Sequence, residues 1–256
     1  MKKNLVALLS FSAIIILSSC QKDKQTDSSA NLSKVKSFTE AVTSPGNGTV
    51  TATYNVGYDA NNRITSVTQT DVSGNKFLFT YSTNTKYSLD LYVSGALSIH
   101  EDLFMNSNSQ PDSTYQYNDT EDTTTEKYLY NSSAQLVTLK EYDYSKIYGS
   151  EINNITTYTY DSNGNIAKTT DTNNQVETFE YYPDLVYAMP FTNPASPQGL
   201  TSQKKMSLIK THTVTSNGYP VGSATNTYTF DSNNRISTIT QTADDGTVVV
   251  QTFIYF

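Results

Sequence analysis

The chain is poor in the residues that most often carry chemistry. Among 256 residues there are one cysteine, no tryptophan and 2 histidines. A lone thiol leaves no intrachain disulfide and no thiolate metal cluster. Neither His100 nor His212 lies beside a serine elbow or in a metal spacing such as His-Glu-x-x-His, so the common signatures of hydrolases and metalloenzymes are missing. No cofactor motif is present, and neither a cofactor nor a catalytic role is expected. Basic residues are scarce as well: 17 Lys and Arg stand against 24 Asp and Glu, a net charge of −7 that argues against nucleic acid as a partner. One apolar run exists, Leu5 to Leu17, and its roughly 13 residues fall short of the roughly 20 that cross a bilayer as a helix.

That run follows Met1-Lys2-Lys3 and leads into Leu17-Ser18-Ser19-Cys20. A basic start, a short apolar core and small residues before a cut describe a secretory signal. The last four residues resemble the lipobox of bacterial lipoproteins, which implies that residues 1–19 are removed and that Cys20 carries lipid. Two or three acyl chains on one residue anchor stably where a single chain does not. The membrane is thus the first expected partner, reached through lipid on Cys20. With Lys2 and Lys3 gone, 24 acidic and 15 basic residues leave a net charge near −9.

Residues 20–32 are too polar to fold alone and read as a flexible tether. Its start, Gln21-Lys22-Asp23-Lys24, is similar to the charged signal that sends Bacteroidota lipoproteins to the outer face of the outer membrane. Lys24 stands where a second acidic residue is usual. The expected location is the outer membrane, at the cell surface or otherwise on the periplasmic face.

What is abundant is aromatic: 20 Tyr and 10 Phe. Three segments align without gaps: Tyr58-Asp59-Ala60-Asn61-Asn62-Arg63-Ile64, Tyr160-Asp161-Ser162-Asn163-Gly164-Asn165-Ile166 and Phe230-Asp231-Ser232-Asn233-Asn234-Arg235-Ile236. A weaker copy runs from Tyr130 to Leu136. Each unit has an aromatic closing a strand, an Asp and Asn turn, and an aliphatic opening the next strand. Asp and Asn suit the turn because they bond the backbone locally and tolerate left-handed conformations. The unit is a β-hairpin.

Rings recur at every second residue before the turns, at Tyr115 and Tyr117, Tyr128 and Tyr130, and Tyr158 and Tyr160, and elsewhere at Tyr142 and Tyr144. A period of two puts the rings of one strand on one face, with Thr, Ser and Asn between them facing water. The expected fold is all-β: an antiparallel meander of such hairpins making one large twisted sheet with a Tyr-rich face, residues 33–256 being a single domain. Motif intervals of 72 residues (58 to 130) and 70 residues (160 to 230) suggest a duplicated half. Residues 183–205 hold Pro183, Pro190, Pro194 and Pro197 and read as a long loop, with one helical turn near Gln198 to Met206.

The Tyr-Asp-x-Asn-Gly-x-Ile unit resembles the YD repeats of Rhs-type proteins. Lipobox, hairpins and proline-containing insertion together resemble uncharacterised Bacteroidota lipoproteins with a YD-repeat-like domain of unknown function. That resemblance implies wrapped β-sheet and no established catalytic residue. Small size and few copies set the chain apart from Rhs proteins, and no toxin-delivery role carries over.

Asp161-x-Asn163-x-Asn165 begins like a calcium loop but has Ile166 and Thr172 where Gly and Glu are required. Asp119, Glu121 and Asp122, and Asp244 with Asp245, read as solvated turns more than cation sites. The six tyrosines Tyr115, Tyr117, Tyr128, Tyr130, Tyr158 and Tyr160 are either packing or ligand-facing residues. A structural or binding role in the cell envelope is expected, with a glycan or an envelope protein as partner. A glycan binder needs a ring-lined groove, and a glycosidase needs two carboxyl groups roughly 5–10 Å apart in a cleft. Phe253-Ile254-Tyr255-Phe256 is similar to the last strand of outer-membrane barrels, but few aliphatic residues stand on the strand faces, which argues against a membrane barrel.

Overall fold

The computed structural model describes residues 34–118, 123–145, 150–188 and 205–256. Its strands are β1 (Val35–Ser44), β2 (Gly48–Tyr58), β3 (Ile64–Gln69), β4 (Lys76–Tyr81), β5 (Lys86–Val93), β6 (Ala96–Met105), β7 (Pro111–Asn118) and β8 (Thr123–Tyr130). They continue as β9 (Leu136–Ser145), β10 (Ser150–Tyr160), β11 (Ile166–Thr170), β12 (Gln175–Ala188), β13 (Lys205–Ser216), β14 (Tyr219–Phe230), β15 (Ile236–Ala243) and β16 (Val248–Tyr255). Each strand pairs antiparallel with its neighbours in sequence, and β16 pairs with β1 from Val35↔Tyr255 to Thr43↔Val248. The all-β meander is therefore present, but it is a closed barrel and not the open twisted sheet that the hairpin pattern predicts. Closure leaves no sheet edge for another chain to pair with. Phe253 to Tyr255 do end the closing strand, with Phe256 just beyond it.

The hairpin units share one turn. The carboxylate of Asp59 accepts from the amides of Asn61 and Arg63, both at 2.9 Å, and Arg63 Nε donates to the same side chain at 2.7 Å. Asp231 repeats this with Asn233 and Arg235, and Asn131 and Asp161 take the same two amides in their own units. The fourth residue of each turn is left-handed: Asn62 at φ 64°, Ala134 at 62°, Gly164 at 81° and Asn234 at 60°. Two further copies, Asn106 to Gln110 and Asp171 to Gln175, have the same bonds and lack the flanking aromatic that marks the others. The fixed charges have a visible cause: amide donors hold the Asp59 and Asp231 carboxyls below the usual range.

A one-residue bulge follows these turns on the downstream strand, where Tyr58 pairs with Ile64 but Gly57 pairs with Ser66. The same slip occurs at Met105, Tyr130, Tyr160 and Phe230. At the same rim a tyrosine near the end of every even strand except β6 reaches back over the preceding strand. The hydroxyl of Tyr58 donates to the Val35 carbonyl (2.9 Å), Tyr81 to Ile64 (2.8 Å), Tyr130 to Pro111 (2.8 Å) and Tyr160 to Leu136 (2.7 Å). Tyr181, Tyr228 and Tyr255 do the same to Ile166, Ile209 and Ile236. These phenols close one end of the barrel, and burial pushes the Tyr58 and Tyr81 hydroxyls up to about 12, so they remain donors. Both ends of the described chain lie at this rim, where the Phe256 amide donates to the Lys34 carbonyl at 3.1 Å.

The core sits inside the barrel. Phe38 stacks on Tyr54 with centroids 4.8 Å apart and lies 6.0 Å from Phe253. Around them pack Val56, Val67, Phe79, Leu89, Leu208, Ile236 and Ile239. A smaller cluster holds Tyr128, Leu136, Tyr158 and Ile166.

Among the described residues the suggested duplication is not matched in strand number, since residues 58 to 130 span β3 to β8 whereas residues 160 to 230 span β11 to β14. Part of the expected loop 183–205 is strand: Pro183 lies in β12 at an irregularity between Tyr181 and Val186, where its missing amide interrupts no regular pairing. Met206, expected in a helical turn, is in β13. Cys20, the tether, Asp119, Glu121, Asp122, Pro190, Pro194 and Pro197 lie outside the described residues.

Candidate functional site: a tyrosine groove on the outer wall

Residues opposite each other in register share a face, so the walls can be read row by row. One outer row runs Thr229, Thr238, Thr252, Thr39, Thr53 across β14, β15, β16, β1 and β2. The Thr39 and Thr53 hydroxyls meet at 3.3 Å. The interior behind it carries Phe253, Phe38 and Tyr54. This is the reverse of a transmembrane barrel, whose lipid-facing side is an apolar band and whose interior is polar. Here the rings point in and the hydroxyls point out.

The pattern changes on β6 to β9. The outer rows there read Asp102, Tyr115, Thr125, Tyr142 and His100, Tyr117, Thr123, Tyr144. Tyrosines on β7 and β9 thus flank two threonines on β8, and the ring-bearing strands stand two strand spacings apart, about 9.5 Å. The four rings are exposed, at 43% for Tyr115, 41% for Tyr117, 37% for Tyr142 and 45% for Tyr144. Register and exposure thus set two pairs of exposed rings on either side of a threonine-bearing strand, and the strip between them is termed the groove. His100 backs one wall, stacked on Tyr117 with centroids 4.8 Å apart. Its Nδ1 lies 2.5 Å from Asp90 and its Nε2 3.5 Å from Asp102, which also pairs with Lys86 at 2.9 Å.

The six tyrosines singled out by spacing are therefore divided. Tyr115 and Tyr117 line the groove. Tyr128 and Tyr158 are buried inside, and Tyr130 and Tyr160 cap carbonyls at the closed rim. The expectation of one Tyr-rich face fails because β7 and β9 present their rings outward. Tyr142 and Tyr144, the other half of the groove, were visible in the sequence as a spaced pair but not as partners of Tyr115 and Tyr117.

Inside the same strands the rings give way to acids. The inner row reads Leu103, Thr114, Glu126, Glu141, Asn154, with Glu101 and Asp143 in the row beside it. Thr114 and Tyr128 donate to Glu126, and Thr124 donates to Asp143 at 2.6 Å. Burial, then the nearby Glu126 charge, pushes the Glu101 carboxyl up to about 8. Burial and Asp143 also raise Glu141. Farther round, His212 stacks on Phe179 at 4.9 Å and lies 3.4 Å from Glu177, which this contact holds below its usual range. That distance is too long for a good hydrogen bond, and His212 Nε2 is otherwise unpartnered. Among the described residues no group of three or more His, Cys, Asp or Glu side chains is arranged to hold a metal ion. The sheet itself separates these acids from the groove.

No protein-family model and no curated protein matches the chain. Solved structures do. A porin-like protein from Bacteroides uniformis aligns with a TM-score of 0.58 at 13% identity, covering 87% of this chain and 96% of that one. A porin-like protein from Bacteroides vulgatus aligns at 0.53 and 12% identity, covering 88% and 99%. At such identities the likeness is one of fold: an antiparallel closed β-barrel over nearly its whole length.

Proposed function

We propose that the chain is a lipid-anchored outer-membrane protein whose barrel stands outside the bilayer and binds saccharide along the Tyr115, Tyr117, Tyr142, Tyr144 groove, without turnover. The observation that carries this reading is the pairing of exposed rings across a threonine floor. The apolar C–H faces of a sugar stack on aromatic rings while its hydroxyls bond to hydroxyl and carboxylate groups, and the groove offers both. The threonine rows elsewhere on the outer wall support an aqueous setting, since such a wall lacks the apolar band that lipid requires. The lipobox-like Leu17-Ser18-Ser19-Cys20 supports the anchor, and a tether of about 13 residues reaches up to about 45 Å. It joins the described chain at the rim where the Phe256 amide meets the Lys34 carbonyl.

A surface glycosidase is the second reading, favoured by Glu126 and Glu141 facing each other inside the barrel with Glu101 beside them. The rings and these acids lie on opposite faces of the sheet, so no single sugar touches both. The test is a glycan array probed with the purified protein, with turnover followed in parallel. Binding that falls at least tenfold in Tyr115→Ala/Tyr142→Ala supports the groove. Silence across the array sinks it, and turnover lost in Glu126→Gln supports the glycosidase.

A further inference from the structure

The charges around the groove are sorted by sign. Along β8 and β9 the period of two sends Glu126 and Glu141 into the barrel and Lys127 and Lys140 out of it. The two lysines are direct cross-strand partners, one row beyond Tyr115, Thr125 and Tyr142, or about 7 Å along the strands. Like charges placed directly opposite each other destabilise a sheet. Among the described residues neither lysine has a carboxylate partner, whereas the outward acids at the other wall are engaged: Asp90 by His100, and Asp102 by His100 and Lys86. Ser113 and Ile155 occupy the flanking positions of the lysine row, so no acid stands beside it in register. In a chain with net charge −7, the end of the groove is thus locally cationic.

On the saccharide reading above, we infer that this groove takes an acidic saccharide: rings stack on the sugar while a carboxylate or sulfate group lies between Lys127 and Lys140. The bound anion relieves the repulsion between the two ammonium groups. From Tyr117 to Ser113 the groove runs about 14 Å along β7, long enough for a short oligosaccharide.

The experiment uses the purified protein and a panel of uronate, sialylated and sulfated oligosaccharides, each beside its methyl-esterified or desulfated form. The expected result is at least tenfold tighter binding of the acid in one class. That preference should be lost in Lys127→Gln/Lys140→Gln and in 0.5 M NaCl, kept in Lys127→Arg/Lys140→Arg, and accompanied by unchanged binding of the neutral form. Equal binding of acid and neutral forms overturns the acidic preference while the saccharide groove stands. No binding to any member, with the fold intact by circular dichroism, overturns both. Since the Gln pair removes a repulsion, it should melt no lower than the unmodified protein, so a lost preference cannot be ascribed to unfolding.

Discussion

The two sides of the barrel solve the same backbone problem with different side chains. On β13 to β16, β1 and β2 the interior is mostly ring and aliphatic, with Glu40 buried among them and bonded by Gln251, and the exterior carries rows rich in threonine. The threonines there satisfy a β-branched preference for strand and face water. On β6 to β9 the interior holds Glu101, Glu126, Glu141 and Asp143, and the exterior holds Tyr115, Tyr117, Tyr142 and Tyr144 with two lysines that have no carboxylate partner among the described residues. Burying unneutralised carboxylates and exposing rings both cost stability. Apart from Glu40, the first side is what folding alone asks for. The second departs from it on both faces, and such departures are where function is to be sought.

If the apolar side holds the barrel, its loss should be the most damaging. Phe38→Ala removes a fully buried ring stacked on Tyr54, and a loss of about 3–5 kcal/mol is expected in chemical denaturation. A loss under about 1 kcal/mol would show that the comparison is drawn wrongly.

The acidic side should answer to pH with the opposite sign. Glu101 has a folded-state value of about 8 against an ordinary 4.5. A raised carboxyl favours the fold least when ionised, so its penalty is absent below pH 4.5, grows as pH rises and levels off near pH 8. Glu101→Gln should raise stability by a few kcal/mol at pH 8 and change little at pH 4, read from melting curves across that range. A pH-independent effect would remove the electrostatic explanation.

Tyr160→Phe sharpens the contrast from the rim that both sides share. Deleting the hydroxyl that bonds the Leu136 carbonyl at 2.7 Å should cost about 1–2 kcal/mol by denaturant titration, and no change would mean that water replaces the hydroxyl. The smallest effect is expected at Ala134, a non-glycine residue at φ 62°. Ala134→Gly should add about 0.5–1 kcal/mol by relieving the left-handed strain, and a drop in melting temperature would count against that strain.

Much of this fold is legible in the chain once the turns are found. The Asp and Asn turns at 59, 131, 161 and 231 show themselves, and each predicts a hairpin. The phase of the next strand follows from the bulge: the opening aliphatic points inward, and so do the positions three and five residues on, as with Ile64, Val67 and Gln69. Applied to β9 from Leu136, that count puts Leu139 and Glu141 inside and Tyr142 and Tyr144 outside. Applied to β7 it needs the turn at Asn106 to Gln110, which lacks the aromatic that marks the others. Without it, the spacing of Tyr115 and Tyr117 shows that they share a face but not which face.

The amino-acid sequence by itself determined the strand periodicity, the turn positions and the all-β class, because these rest on local backbone preferences and on alternation along one strand. It also holds the lipobox-like start, which is read from covalent order alone. Closure of β16 onto β1, the inward or outward sense of each wall, and the meeting of Tyr115 and Tyr117 with Tyr142 and Tyr144 across β8 were decided only by the tertiary structure. Those features depend on register between strands and on joining the two ends of the chain, and hydrogen bonds between distant residues set both.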